Sequence, residues 1–196
     1  MRIVTEFIYY TSSSLNGYIA DERNSLEWLF AVDASAGSPD TSGFIESVGV
    51  QVMGSTTYEW LLRTEGLLEV PQKWQRFFGS LNTCVLTSRT LPTPEGANIT
   101  FIAGPVGQHI TEIEALAGER NVWVVGGGDV AAQFLDAGRL DRIEITFAPV
   151  ALAGGAPVLP RFVPAGRLRL EAVHREGPFA RLVYRVVSAG SPPSVG

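Results

Sequence analysis

Short apolar runs that stop at glycine, serine or threonine recur along the chain and alternate with segments of helical character. Residues 3–11 are rich in β-branched and aromatic side chains, and 50–53, 83–87 and 122–125 are compact apolar runs. Such runs suit parallel strands covered on both faces. Between them the spacing predicts helices over 39–48, 56–63, 107–117 and 129–137. Ser38-Pro39 reads as a helix start, with proline at the first helical position, and Gly138 as a helix end.

The last third changes period. Ile143, Ile145 and Phe147 alternate with Arg142, Glu144 and Thr146; Leu168 and Leu170 alternate with Arg167, Arg169 and Glu171; Leu182, Tyr184 and Val186 alternate with Arg181 and Arg185. Period two predicts one buried and one wetter face, as in antiparallel or edge strands, and Gly177-Pro178 predicts a hairpin turn. The expected architecture is α/β, a three-layer α/β/α sandwich whose mostly parallel sheet ends in a C-terminal antiparallel hairpin. It forms one domain over 1–187, followed by a flexible Ser/Pro/Gly-rich tail over 188–196. The breaker-rich segments 33–38, 91–98 and 151–166 read as long loops.

Composition narrows the function classes. The chain of 196 residues has a formal net charge of -5 and is 45% hydrophobic and 18% charged. That is too apolar for disorder, and it offers no electrostatic footprint for nucleic acid. Cys84 has no partner for an internal disulfide, and two separated histidines, His109 and His174, assemble no zinc site or catalytic triad. No apolar run reaches the ~18 residues of a membrane span and no signal peptide is evident, so a soluble cytoplasmic protein is expected, with no membrane partner.

The strongest local feature is a buried strand, 121–125, that runs through Gly126, Gly127 and Gly128 directly into a helix beginning Asp129-Val130. Backbone N–H groups and the positive end of the helix dipole converge there, and without side chains a phosphate can approach closely. The Asp129 side chain is expected to turn away from such an anion. Met53-Gly54-Ser55-Thr56-Thr57 repeats the strand-glycine-helix arrangement. Thr87-Ser88-Arg89 ends a strand with two hydroxyls and a cation, and Ser14 to Ala20 follows the first strand with a turn. Together these strand ends make an extended nucleotide site along one sheet edge.

The order SLNGYIA, VMGSTTYEWL, VLTSR and VWVVGGGDVAAQFLDAGRLDRIEITFAPVALAGGAPVL resembles the dihydrofolate reductase-like superfamily. Within it, the chain is most similar to the reductase domain of the riboflavin-biosynthesis deaminase-reductase, the RibD C-terminal domain. The resemblance implies an NADPH-dependent reductase of dihydrofolate reductase-like fold. Gly126, Gly127, Gly128, Asp129 and Val130 would line the pyrophosphate, and Gly54 and Thr57 would start the helix at the cofactor phosphates. Ser88 and Arg89 would take the 2′-phosphate, and Ser12, Ile19 and Ala20 would flank the nicotinamide. Where dihydrofolate reductases carry an arginine after the MG glycine, this chain has Ser55, so Arg89 carries the expected preference for NADPH over NADH. No HxE or PCxxC zinc signature accompanies these blocks, so deamination is not expected.

Hydride transfer also asks for a proton source. The candidate catalytic acid is Asp40, with Phe44 one helical turn away as an aromatic wall for the substrate; Asp33 is a second candidate. Arg23 and Arg161 are loop cations able to meet a sugar phosphate, whereas Trp28 and Trp60 read as core. The implied activity is 5-amino-6-(5-phosphoribosylamino)uracil reductase-type transfer to a small heterocyclic substrate. Dihydrofolate reduction and a non-catalytic nucleotide-binding module are the alternatives. A homodimer formed through the C-terminal strands is expected.

Overall fold

The computed structural model describes residues 5–187. In chain order these form β1 (Phe7–Ser14), β2 (Tyr18–Ala20), α1 (Glu27–Phe30), α2 (Ser42–Glu46), β3 (Val48–Gly54), α3 (Ser55–Glu65), α4 (Gln72–Phe78) and β4 (Asn82–Leu86). There follow β5 (Ile99–Ile102), α5 (Ile110–Ala117), β6 (Asn121–Gly126), α6 (Gly128–Asp136), β7 (Arg142–Ala148), β8 (Ala156–Pro157), β9 (Leu168–Glu176) and β10 (Phe179–Val186). The tail expected at 188–196, and the first two residues of the strand expected at 3–11, lie outside the described residues.

One sheet carries eight strands in the order β5-β4-β3-β6-β1-β7-β10-β9. Pairing is parallel from β5 to β7, and β10 is antiparallel to both β7 and β9. Alternation along the strands divides the core between two faces. Val50, Val52, Val122 and Val124 meet Ile113 and Ala117 of α5 and Ala131 and Phe134 of α6. On the other face Met53 and Val85 meet Tyr58 and Leu62 of α3 and Trp74 of α4. The mostly parallel three-layer sandwich with its C-terminal hairpin is therefore the observed fold, and Gly177 turns that hairpin with φ +62°. The chain builds outward from β1 through β3, β4 and β5, then returns to place β6 between β3 and β1. This reversal leaves a crevice at the carboxyl ends of those three strands.

Several expectations need correction. The helix expected over 39–48 is confined to Ser42–Glu46, because Asp40 Oδ1 accepts the Ser42 N–H at 3.0 Å and turns the chain just before it. The helix α4 was not anticipated, although Pro71 and Gly79 bracket it. The period-two reading of β7 is wrong about its wet face. β7 lies between β1 and β10 in the sheet, and its residues are buried on both faces, Glu144 and Thr146 together with Ile143 and Ile145. Glu144 meets Arg142 at 3.2 Å and Arg181 at 3.0 Å, which satisfies the buried carboxylate. Cys84 is buried as expected, and loss of hydration pushes its thiol up to about 12. Among the described residues no helix is long and apolar enough to cross a membrane, and no group of acids, histidines and cysteine could hold a metal.

Candidate functional site

The site begins at two strand-to-helix turns. Strand β3 ends at Gly54 and passes straight into α3, and β6 ends at Gly126 with α6 opening at Gly128. The N-caps are glycines, Gly54 and Gly127, both extended, and neither helix has a side-chain cap hydrogen bond. In α6 the Val130 N–H bonds back to Gly127 O at 3.0 Å, but the earlier first-turn N–H groups have no helical acceptor, so with no capping side chain they remain available to an anion at the positive end of the dipole. Gly126 has φ +129°, a conformation that favours glycine. The turns touch: a Cβ on Gly54 would stand 3.2 Å from Val130 Cγ2.

The segment 151–166 closes one side of this arrangement. Its strand β8 pairs antiparallel with β2, and Val158 N donates to Gly17 O at 2.8 Å. The buried Tyr9 hydroxyl donates to Val158 O at 2.7 Å, tying the loop to the central strand. Arg161 anchors it further by meeting Asp136 at 2.9 Å and Asp129 at 3.4 Å. The Asp129 carboxylate is drawn to this arginine and to Gln133 Nε2, at 3.0 Å.

These elements enclose a cavity of about 640 Å³. Gly54 and Thr57 line it from β3 and α3, and Gly126, Gly127, Gly128, Asp129 and Val130 line it from β6 and α6. Ile19 and Ala20 line it from β2. A second cavity of about 240 Å³ adjoins it, and Ser12 lines this smaller space. Thr11, Ile19, Leu26, Trp123 and Val125 border both. The structure thus brings together most of the residues singled out along the sequence, across four separate strand ends.

It does not bring together all of them. Ser88 and Arg89 are exposed and line neither cavity; Arg89 instead makes a two-pronged contact with Glu59, at 3.0 and 2.6 Å. That contact holds the Glu59 carboxyl below the usual range. Asp40 is exposed and borders neither cavity. Its carboxylate accepts the Ser42 N–H and hydroxyl, at 3.0 and 2.7 Å, and these bonds hold its pKa below the usual carboxylate value. It is therefore ionised at neutral pH and, outside both cavities, is not placed to donate a proton there. Phe44 also borders neither cavity. It packs edge-on against Tyr10 and Trp123, with ring centroids 4.7 and 5.6 Å away, and supports the wall from behind. Asp33 likewise spends its carboxylate on the Ser35 N–H, at 2.9 Å. Asp40→Asn is expected to leave the pH profile of turnover unchanged, which steady-state kinetics across neutral and mildly acidic pH will check.

Several lining residues escaped the sequence reading, among them Trp60, Asn24, Pro160 and Gln51. Trp60, read as core, borders the larger cavity from α3; it lies one helical turn beyond Thr56 and Thr57, and that spacing was the available signal. Asn24 reaches the cavity from a tight turn in which Asp21 Oδ1 accepts the N–H groups of Arg23 and Ser25, both at 2.8 Å, and Asn24 takes φ +56°. Pro160 enters from the docked loop. Gln51 is wholly buried in β3, donates from Nε2 to Thr83 Oγ1 at 2.9 Å, and has an Oε1 without a partner among the described residues. A glutamine inside an apolar strand was its signal.

Comparison with known proteins agrees with this geometry. The family model for the RibD C-terminal domain matches residues 68–177. An uncharacterized protein of Bacillus subtilis (strain 168), YwjB, is 25% identical over 177 residues, covering 90% of this chain and 95% of that protein. Among solved structures, a putative riboflavin biosynthesis protein from Shewanella sp. PV-4 superposes with a TM-score of 0.76 at 23% identity, over 94% of this chain and all of the other. Dihydrofolate reductase from Enterococcus faecalis, complexed with NADP(H) and RAB-propyl, gives a TM-score of 0.56 at 17% identity over 93% and 97%. The chain therefore belongs to the RibD C-terminal domain family and has the dihydrofolate reductase-like fold.

Proposed function

We propose that the protein is an NADPH-dependent reductase that transfers hydride to a small heterocyclic substrate bound in the smaller cavity. The observation that carries this reading is the convergence of two glycine-capped helix N-termini on one cavity of about 640 Å³. That volume falls within the roughly 300–1,000 Å³ of cofactor-sized clefts, and the dipoles suit a pyrophosphate. Gly127 adds no bulk at the junction of the cavities: a Cβ there would meet only Ile19 Cδ1, at 3.7 Å. NADPH, when bound, supplies the hydride.

The chain's own residues position and shield. Ile19 and Ala20, held by the β2-β8 pairing, would flank the nicotinamide where the cavities meet, with Trp123 and Val125 beneath. No carboxylic acid lines the smaller cavity among the described residues, so solvent is the assigned source of the proton that completes the reduction. The same feature weighs against dihydrofolate reduction, which Asp40 would support only if it faced the nicotinamide. The test follows the near-ultraviolet absorbance of NADPH with a panel of pyrimidine, pterin and flavin substrates. Substrate-dependent oxidation is expected; tight NADPH binding with no oxidation of any substrate would favour a binding module instead.

A further inference from the structure

We infer that Arg161 is the counter-charge that lets the larger cavity hold an anion beside Asp129, and that it serves only while the segment 151–166 is docked, an inference that rests on the reductase reading above. Two demands conflict at the start of α6. A carboxylate in the first turn of a helix is stabilised by the helix dipole, and so is an anionic ligand, so the two compete for the same positive end. Asp129 is that carboxylate. It lines the larger cavity with 66% of its side chain exposed, and among the described residues no other charged side chain does so.

The compensating cation comes from outside the helix. Arg161 follows Pro160, which lines the cavity, and its guanidinium meets both Asp129 and Asp136, two turns apart on one face of α6. Its prongs are unequally held. Nε donates to Asp136 at 2.9 Å and Nη1 to Pro160 O at 2.9 Å, whereas Nη2 reaches Asp129 Oδ1 only at 3.4 Å. Asp136 therefore anchors the arginine, and Asp129 is neutralised at longer range. The other Asp129 oxygen, Oδ2, accepts from Gln133 Nε2 at 3.0 Å, one turn further along α6. So loose and exposed a contact contributes little to stability, and its effect is on the charge met by a ligand. The two carboxylates and one guanidinium carry one net negative charge; without Arg161 they carry two, and without Asp129 none.

The docked loop delivers this cation. Arg161 lies shortly beyond Val158, whose N–H bonds to Gly17 O and whose carbonyl takes the Tyr9 hydroxyl. Pro157 O and Val158 O lie against Gly128, at the start of the same helix. Undocking of the loop leaves Asp129 uncompensated. By linkage, an anion that binds better beside a neutralised Asp129 also holds the loop down, and with it the β2-β8 pairing that positions Ile19 and Ala20. Occupation of the pyrophosphate end thus steadies the wall assigned to the nicotinamide end.

The test measures NADPH binding to the intact protein by tryptophan fluorescence at low and high salt, together with hydrogen exchange across 151–166 with and without NADPH. Arg161→Gln is expected to weaken NADPH binding about three- to fivefold at low salt, the size of an exposed charge contact, and Asp129→Asn to tighten it by a similar factor. Arg161→Lys, which keeps the charge, should recover most of the loss. The double variant of Asp129→Asn with Arg161→Gln, which restores the wild-type net charge, should return to within about twofold of wild type. Added salt should shrink all of these differences. NADPH should slow exchange across 151–166 in the wild-type protein, and less so in Arg161→Gln. A strut that merely ties the loop to α6 predicts instead that both single variants weaken binding, because both break the same contact. Weakening in both Arg161→Gln and Asp129→Asn, or wild-type affinity in Arg161→Gln, would overturn the inference and leave the cofactor reading intact. Absence of any NADPH binding by the wild-type protein would overturn both.

Discussion

Gly128→Ala is expected to abolish cofactor binding and to destabilise the protein. A Cβ at Gly128 would stand 2.6 Å from Val158 O and closer still to Pro157 O, and both are backbone atoms. Neither can swing aside as a side-chain tip could, because Val158 O accepts the Tyr9 hydroxyl and Val158 N is bonded to Gly17. The methyl must push the docked loop off the glycine turn, breaking the β2-β8 pairing that holds Ile19 and Ala20. Overpacking of a buried site costs up to about 3 kcal/mol, a large fraction of the roughly 5–15 kcal/mol that holds a domain folded. Gly127→Ala is the matched control, since its φ of -63° suits alanine and its methyl would meet Ile19 at an ordinary 3.7 Å. Thermal unfolding should separate the two, with Gly127→Ala near wild type and Gly128→Ala several degrees lower. Equal melting temperatures would show that the loop yields to the methyl and that its docking is weak.

The second large effect concerns cofactor choice. Glu59 engages both prongs of the Arg89 guanidinium, so a 2′-phosphate that uses Arg89 must share or displace that carboxylate. With Ser55 at the turn, the family resemblance leaves Arg89 as the expected cation for the 2′-phosphate, and its position outside both cavities makes that expectation the one to test. Arg89→Gln should therefore weaken NADPH binding by roughly tenfold or more while leaving NADH within about twofold. Glu59→Gln removes the competing anion and should tighten NADPH several-fold, again with little change for NADH. Both groups are exposed, so the discrimination should shrink as salt rises. Equal losses for the two cofactors in Arg89→Gln would remove the role assigned to this arginine.

Legibility of the fold followed the physics of each signal. The glycine turn at 126–128 could be read directly, since a strand meeting three glycines and a helix dictates its own backbone. The helix expected over 56–63, observed over Ser55–Glu65, was likewise visible from the glycine that ends the strand before it. The buried face of β7 was not, because alternation reports side-chain chemistry and is silent about a second layer covering the polar side. Glu144 became tolerable only through Arg142 and Arg181, the latter from another strand. Asp40 shows the opposite failure. An acid near a helix start can face a ligand or bond to its own backbone, and sequence does not choose between them.

The sequence by itself determined the alternation of strands and helices, the C-terminal hairpin, the glycine-capped helix starts and the sheet edge on which an anionic cofactor would lie. These depend on periodicity, backbone freedom and capping within a few residues of one another. Only the tertiary structure decided which side chains enclose the cavity. Trp60, Asn24, Gln51 and Pro160 line it, Phe44 lies behind its wall and Asp40 outside it, and Arg89 is held by Glu59. Those outcomes depend on contacts between distant segments, such as the bond from Tyr9 to Val158 across 149 positions, which no local pattern encodes.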